Sequence, residues 1–130
     1  MATIALISEK EATGKVKEIY EEIQKAFGLP FVPNIFKAMG HNPDLLEANW
    51  RRLGMVMGRG RLDRKTKEMI AVAVSATNNC EYCVNAHTAA LKRMGTSDDE
   101  LLELMAVVDL FNGFNSFADG LRIESDLKPN

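Results

Sequence analysis

Apolar residues recur three and four positions apart along almost the whole chain, a spacing that suits helices and leaves no room for alternating strands. Val16, Ile19, Tyr20, Ile23 and Phe27 form one such stripe, and Leu45, Leu46, Trp50, Leu53 and Val56 form another. A third runs through Leu101, Leu104, Met105, Val108 and Phe111. Stop and start signals separate them. Ser8 and Glu11 have the spacing of a capping box and predict a first helix from Ser8 to about Phe27, ended by Gly28 and Pro30. A short helix follows Pro33, from Asn34 to Met39. Asn42-Pro43 caps a third, which Gly58 and Gly60 break. Leu62-Asp63 opens a fourth, and a fifth runs from Cys80 to Met94 and closes at Gly95. Ser97 and Glu100 form a second capping box, and helical spacing continues from there through Phe114, Phe117 and Leu121, weakened by Gly113 and Gly120. The expected architecture is all-α: one domain over residues 1–130 with about six to seven helices.

Between Met69 and Cys80 there is no charge at all (MIAVAVSATNNC), so the fourth helix is expected to be buried on every side. Asn78-Asn79 is the expected break after it, because asparagine favours turns and caps over helix interiors. With 46% hydrophobic residues and a net charge of −2, the chain can form a core and is not built to grip nucleic acid or an anionic membrane. No uncharged apolar run approaches the ~20 residues that span a bilayer. The first eight residues carry no basic stretch of the kind that begins an export signal, so the expected compartment is the reducing cytosol. Two cysteines in one short motif then suggest redox or metal chemistry rather than a structural disulfide.

Those cysteines lie in Cys80-Glu81-Tyr82-Cys83, with His87 four residues beyond the second. On a continuous helix Cys80, Cys83 and His87 fall within an arc of roughly 60°. An imidazole one turn from a thiol can take its proton or stabilise the thiolate, which is the reactive form. Glu68 is the last charge before the neutral run and shares a helical face with Ala71, Val72 and Ser75. Shielding there is expected to raise its pKa and let it pass protons near neutrality. If the fourth and fifth helices were one rod, Glu68 would sit ~18 Å from Cys80. Only a reversal at Thr77-Asn78-Asn79 joins the two into one site.

Residue chemistry alone leaves the nucleophile open. Cys80 is nearer the helix N-terminus, where the macrodipole lowers a thiol pKa, and Cys83 has the histidine. Glu68, Cys80, Cys83 and His87 are also four zinc-ligand types, so a metal-binding or interaction domain is the alternative to a redox enzyme. A disulfide oxidoreductase with little peroxidase activity is a further one. Seven basic residues (Arg51, Arg52, Arg59, Arg61, Arg64, Lys65 and Lys67) lie close together against one acid, Asp63. They read as a solvated or subunit-facing surface, or as a field that steers an anionic substrate or carrier. Trp50, Tyr82 and the Phe111/Phe114/Phe117 set read as packing residues, the last a subunit interface if exposed.

Glu68-x11-Cys80-x2-Cys83-x3-His87 resembles the signature of the alkylhydroperoxidase D-like proteins of the carboxymuconolactone decarboxylase superfamily. The likeness is greatest from about Asn34 to Gly95, and CEYCVNAHTAALKRMG is typical of the peroxidase-related branch. The resemblance implies an all-helical thiol peroxidase that reduces hydroperoxides. Cys83 would attack the peroxide, Cys80 would resolve the resulting sulfenic acid to a disulfide, and Glu68 and His87 would relay protons. It also implies a homo-oligomer, a trimer or hexamer, with no metal, haem or flavin cofactor. The external dithiol reductant would be a dihydrolipoyl protein, as in the best-studied branch. That branch has a further histidine immediately before the second cysteine, where this chain has Tyr82. The decarboxylase branch lacks the cysteine pair, which argues against lactone decarboxylation.

Overall fold

The structure is a computed structural model, and it describes residues 1–129. Every regular element among the described residues is a helix: α1 Gly14–Phe27, α2 Asn34–Met39, α3 Pro43–Met57, α4 Arg64–Thr77, α5 Glu81–Arg93 and α6 Asp98–Gly120. The chain divides into two compact units, one of residues 1–58 and the other from Arg59 onward.

In the first unit, the stripe of α1 buries Val16, Ile19, Tyr20 and Ile23. They pack with Ala12, Val32, Phe36 and Leu46, and Ile7, Phe27, Met39, Trp50 and Leu53 close the rim. Trp50 meets the rings of Phe27 and Phe36 edge-on at 5.6 and 5.8 Å, a favoured aromatic geometry. Its indole N–H donates to Glu22 at 2.9 Å. The Tyr20 hydroxyl donates to the Ile7 carbonyl at 3.0 Å, and a Cβ on Gly40 would stand 2.6 Å from it, so only glycine fits there. The first helix starts later than its capping box. Half of the box forms: the Ser8 N–H donates to Glu11 Oε2 at 2.9 Å, while the Glu11 N–H goes to the Ser8 carbonyl rather than its hydroxyl and closes a single turn. Thr13 is then extended and Gly14 takes a φ of +51°, which interrupts the helix and lets α1 begin afresh.

In the second unit, α4 packs against both α5 and α6. Asp63 caps α4 by accepting the Thr66 N–H at 2.7 Å, and the Ser97–Glu100 capping box opens α6 with both reciprocal bonds made. α6 continues unbroken through Gly113. One expectation needs correction. The uncharged helix is not covered all round: Glu68, Val72 and Ser75 are buried, whereas Ile70 and Val74 are exposed. The absence of charge marks a helix with a second apolar face, which this chain does not itself cover. α6, at 23 residues, is long and apolar enough to cross a membrane by length and composition. It holds no long uncharged run, because Glu103 and Asp109 interrupt it. Phe111, Phe114 and Phe117 on this helix are all exposed, and Tyr82 on α5 is partly so.

Candidate active site

Glu68 lies one turn into α4, 1% exposed. Its two oxygens have different partners. Arg64, four residues earlier, directs Nε and a terminal guanidinium nitrogen at Oε1, each at 2.7 Å. His87 Nδ1 stands 2.6 Å from Oε2. Burial pushes the carboxyl pKa up, but the hydrogen bonds from His87 and Arg64, with their charges, outweigh it and carry it below the ordinary glutamate value. This reverses the expectation from the apolar run. The shielding is present, yet two donors pointed at one carboxylate outweigh it, so the Glu68 pKa falls rather than rises.

The reversal between α4 and α5 forms at the expected place. Asn78 ends α4, and Asn79 takes a left-handed φ of +55°, which asparagine tolerates better than most residues. The Cys80 N–H then closes the turn by donating to the Ser75 carbonyl at 2.9 Å. Cys80 is consequently the N-cap of α5, with φ −95° and ψ 88°, and not its first helical residue. The shared-arc argument therefore holds for Cys83 and His87, at i and i+4 of α5, while Cys80 reaches the site from the turn.

Both cysteines are free and half-buried. The Cys83 thiol and backbone N–H face the Cys80 sulfur, and this holds the Cys80 pKa below its ordinary value. Cys83 moves the other way. Its hydrogen bond to Cys80 raises it most, burial and the Cys80 charge add to that, and a hydrogen bond with the Ser75 hydroxyl works against them. The Ala71 carbonyl, 2.6 Å from Ser75 Oγ, competes with Cys83 for that hydroxyl's single proton.

The structure thus brings Glu68 to His87 and Cys80 to Cys83, all on the α4–α5 hairpin. No hydrogen bond among the described residues joins His87 to either sulfur. Nor do three His, Cys, Asp or Glu side chains among them group closely enough to hold a metal ion. Two residues escaped the sequence reading. Arg64 was counted in the basic run, although its position four before Glu68 is the spacing of a helical ion pair. Ser75 was noted only for sharing Glu68's face. Three of the seven basic residues pair with acids: Arg51 bonds Glu22 at 2.6 Å, Lys65 bonds Glu100 at 2.8 Å, and Arg64 holds Glu68.

Against known proteins, the sequence model of the carboxymuconolactone decarboxylase family matches residues 43–124. The chain belongs to that family, as an alkylhydroperoxidase D-like member. The fold is that of the alkylhydroperoxidase AhpD core from Rhodospirillum rubrum, with a TM-score of 0.91, 35% identity, and 97% of this chain and 95% of that one covered. An alkyl hydroperoxide reductase of Mycobacterium tuberculosis is 34% identical over 71% of this chain and 26% of its own length. The alkyl hydroperoxide reductase AhpD of Nocardia farcinica is 29% identical over 85% of this chain and 63% of its own. The chain spans between about a quarter and two thirds of the length of these two relatives.

Proposed function

We propose that the chain is a thiol-dependent hydroperoxide reductase. The observation that carries this reading is the pair of sulfurs, hydrogen-bonded to each other beside a buried carboxylate–imidazole pair on one helical hairpin. Cys83 attacks the peroxide: its sulfur takes the terminal oxygen, the O–O bond breaks, and the alkoxide leaves with a proton as an alcohol. His87, one turn along α5, accepts the Cys83 proton and returns it to the leaving oxygen. Cys80, the more acidic thiol, is then ready as a thiolate to attack the Cys83 sulfenic acid. The S–S bond forms as the S–O bond breaks, and the departing hydroxide takes up, through His87, the proton that Cys80 released and leaves as water. An external dithiol, such as a dihydrolipoyl protein, restores both thiols and is itself oxidised. No metal, haem or flavin enters the cycle. Tyr82 stands where the best-studied branch has a histidine, so His87 acts without that partner.

The same reading includes a homo-oligomer, a trimer or hexamer, in the cytosol. The exposed Phe111, Phe114 and Phe117 of α6 and Ile70 and Val74 of α4 support it, since apolar surface of that extent is what subunits cover. The test counts accessible thiols on reduced protein before and after about one equivalent of organic hydroperoxide, with metal measured on the same sample. Loss of both thiols, reversed by a dithiol in metal-free protein, is the expected result. Two unreactive thiols with one zinc per chain would turn Glu68, Cys80, Cys83 and His87 into ligands, and unreactive thiols without metal would leave the fold alone.

A further inference from the structure

We infer that Arg64 is a positioning residue of this site: its guanidinium occupies one oxygen of Glu68 and holds the carboxylate as an anion, so that the other oxygen fixes which nitrogen of His87 is free to exchange protons. The inference rests on the peroxidase reading above for its catalytic meaning, and on the geometry for everything else. Two Arg64 nitrogens stand 2.7 Å from Oε1, and His87 Nδ1 stands 2.6 Å from Oε2. A guanidinium cannot lose its proton, so it always donates, and an ionised carboxylate only accepts. With Arg64 in place, the short contact at Oε2 therefore has one arrangement: Nδ1 carries its proton toward Glu68. Nε2 is left as the atom that takes and returns a proton, as in other sites where a buried carboxylate orients a histidine.

Without Arg64 that order is lost. A carboxylate 1% exposed would be left with one partner to offset its burial, and protonation of Glu68 would become the easier solution. A protonated Glu68 can donate to Nδ1, which turns the imidazole over to the opposite tautomer and places a proton on Nε2. The charged groups facing Glu68 are Arg64 from α4 and His87 from α5; on α6, which also packs on α4, Glu100 pairs with Lys65 at 2.8 Å. Arg64 is half exposed, and its guanidinium meets the site at Glu68.

The experiment compares the full chain with Arg64→Gln and Arg64→Lys by two readouts. One is the carboxyl titration of Glu68 by carbon NMR, assigned with Glu68→Gln. The other is the pH profile of hydroperoxide consumption. In R64Q the Glu68 midpoint is expected to move up and the acid limb of the profile to move up with it. The loss on the acid side should be about tenfold, short of the hundredfold or more that accompanies deletion of a proton-transfer group itself. R64K, which keeps the charge but not the fork, should recover most of the profile. An unchanged Glu68 midpoint in R64Q would overturn the inference, as would a loss equal at every pH and not recovered by lysine. Should the parent protein consume no hydroperoxide, the peroxidase reading falls, and the carboxyl titration by itself decides the role of Arg64: a shift supports it and no shift ends it. Should R64Q fail to fold, R64K is read against the parent by the same titration. A Glu68 midpoint held within the parent's range supports the role of the charge, and one that climbs to the ordinary glutamate range overturns it.

Discussion

The two units of the chain use their interiors differently. Residues 1–58 enclose eight buried side chains, all apolar or aromatic, under a rim of further apolar groups. From Arg59 onward, the buried apolar residues are Val72, Leu91 and Val108, and beside them lie three buried polar ones, Glu68, Ser75 and Thr96. The Thr96 hydroxyl has no hydrogen-bond partner, a small cost in its own right. Much of the large apolar surface of this second unit is on the outside of α6. The first unit is stabilised mainly by what it buries. The second gives much of its interior to a polar site and keeps its aromatic residues for a surface.

The sharpest way to separate the two roles is at the sulfurs. Cys83→Ser is expected to abolish peroxide-dependent oxidation entirely, while Cys80→Ser leaves a sulfenic acid on Cys83 that a dimedone adduct reveals by mass spectrometry. Neither change should move the unfolding of residues 1–58. Truncation in the first core does the reverse. Ile23→Ala or Leu46→Ala removes a side chain with 0% exposure and is expected to cost about 2–5 kcal/mol in urea unfolding. Thiol chemistry per folded molecule should then be unchanged.

Acid offers a subtler contrast. Glu9 accepts the Val32 N–H at 2.8 Å and pairs with Lys37 at 2.9 Å. The backbone hydrogen bond chiefly, and Lys37 after it, hold its pKa at about 2 against the burial that opposes them. A carboxyl lowered on folding adds stability above its unfolded value of 4.5, and that stability is lost as pH falls toward 2. Glu9→Gln should therefore remove about 1 kcal/mol near neutral pH, allowing for its partial exposure, and flatten the acid limb of a stability–pH curve. Ser75→Ala is the smallest expected change. It removes the one contact that lowers the Cys83 pKa, so alkylation of Cys83 at fixed pH should slow by about fivefold, the worth of one hydrogen bond.

What the sequence made legible were features decided within a few residues. The Asn42, Asp63 and Ser97 caps form as their spacing suggests, and so does the reversal at Asn78-Asn79. The family likeness carried by Glu68, Cys80, Cys83 and His87 agrees with the fold. The misreadings came where distant groups compete. Glu68 sits in an apolar face, but the direction of its pKa depends on His87, nineteen positions away in sequence, and on how Arg64 turns toward it. The late start of α1 turned on a backbone angle at Gly14 that the Ser8–Glu11 pattern does not encode. The exposed flank of α4 looks the same in sequence as a buried one, since both are apolar.

One consequence of the Asn79 turn concerns time rather than geometry. Every side chain of the site falls between Arg64 and His87, on two helices joined by a few residues, so assembling it closes only short loops. Helical hairpins of such local contacts form quickly, because little chain entropy is lost before the helices meet. A refolding chain should therefore bring its two sulfurs within reach early. Oxidant present during refolding would then join Cys80 to Cys83 while the rest of the molecule is still finding its shape.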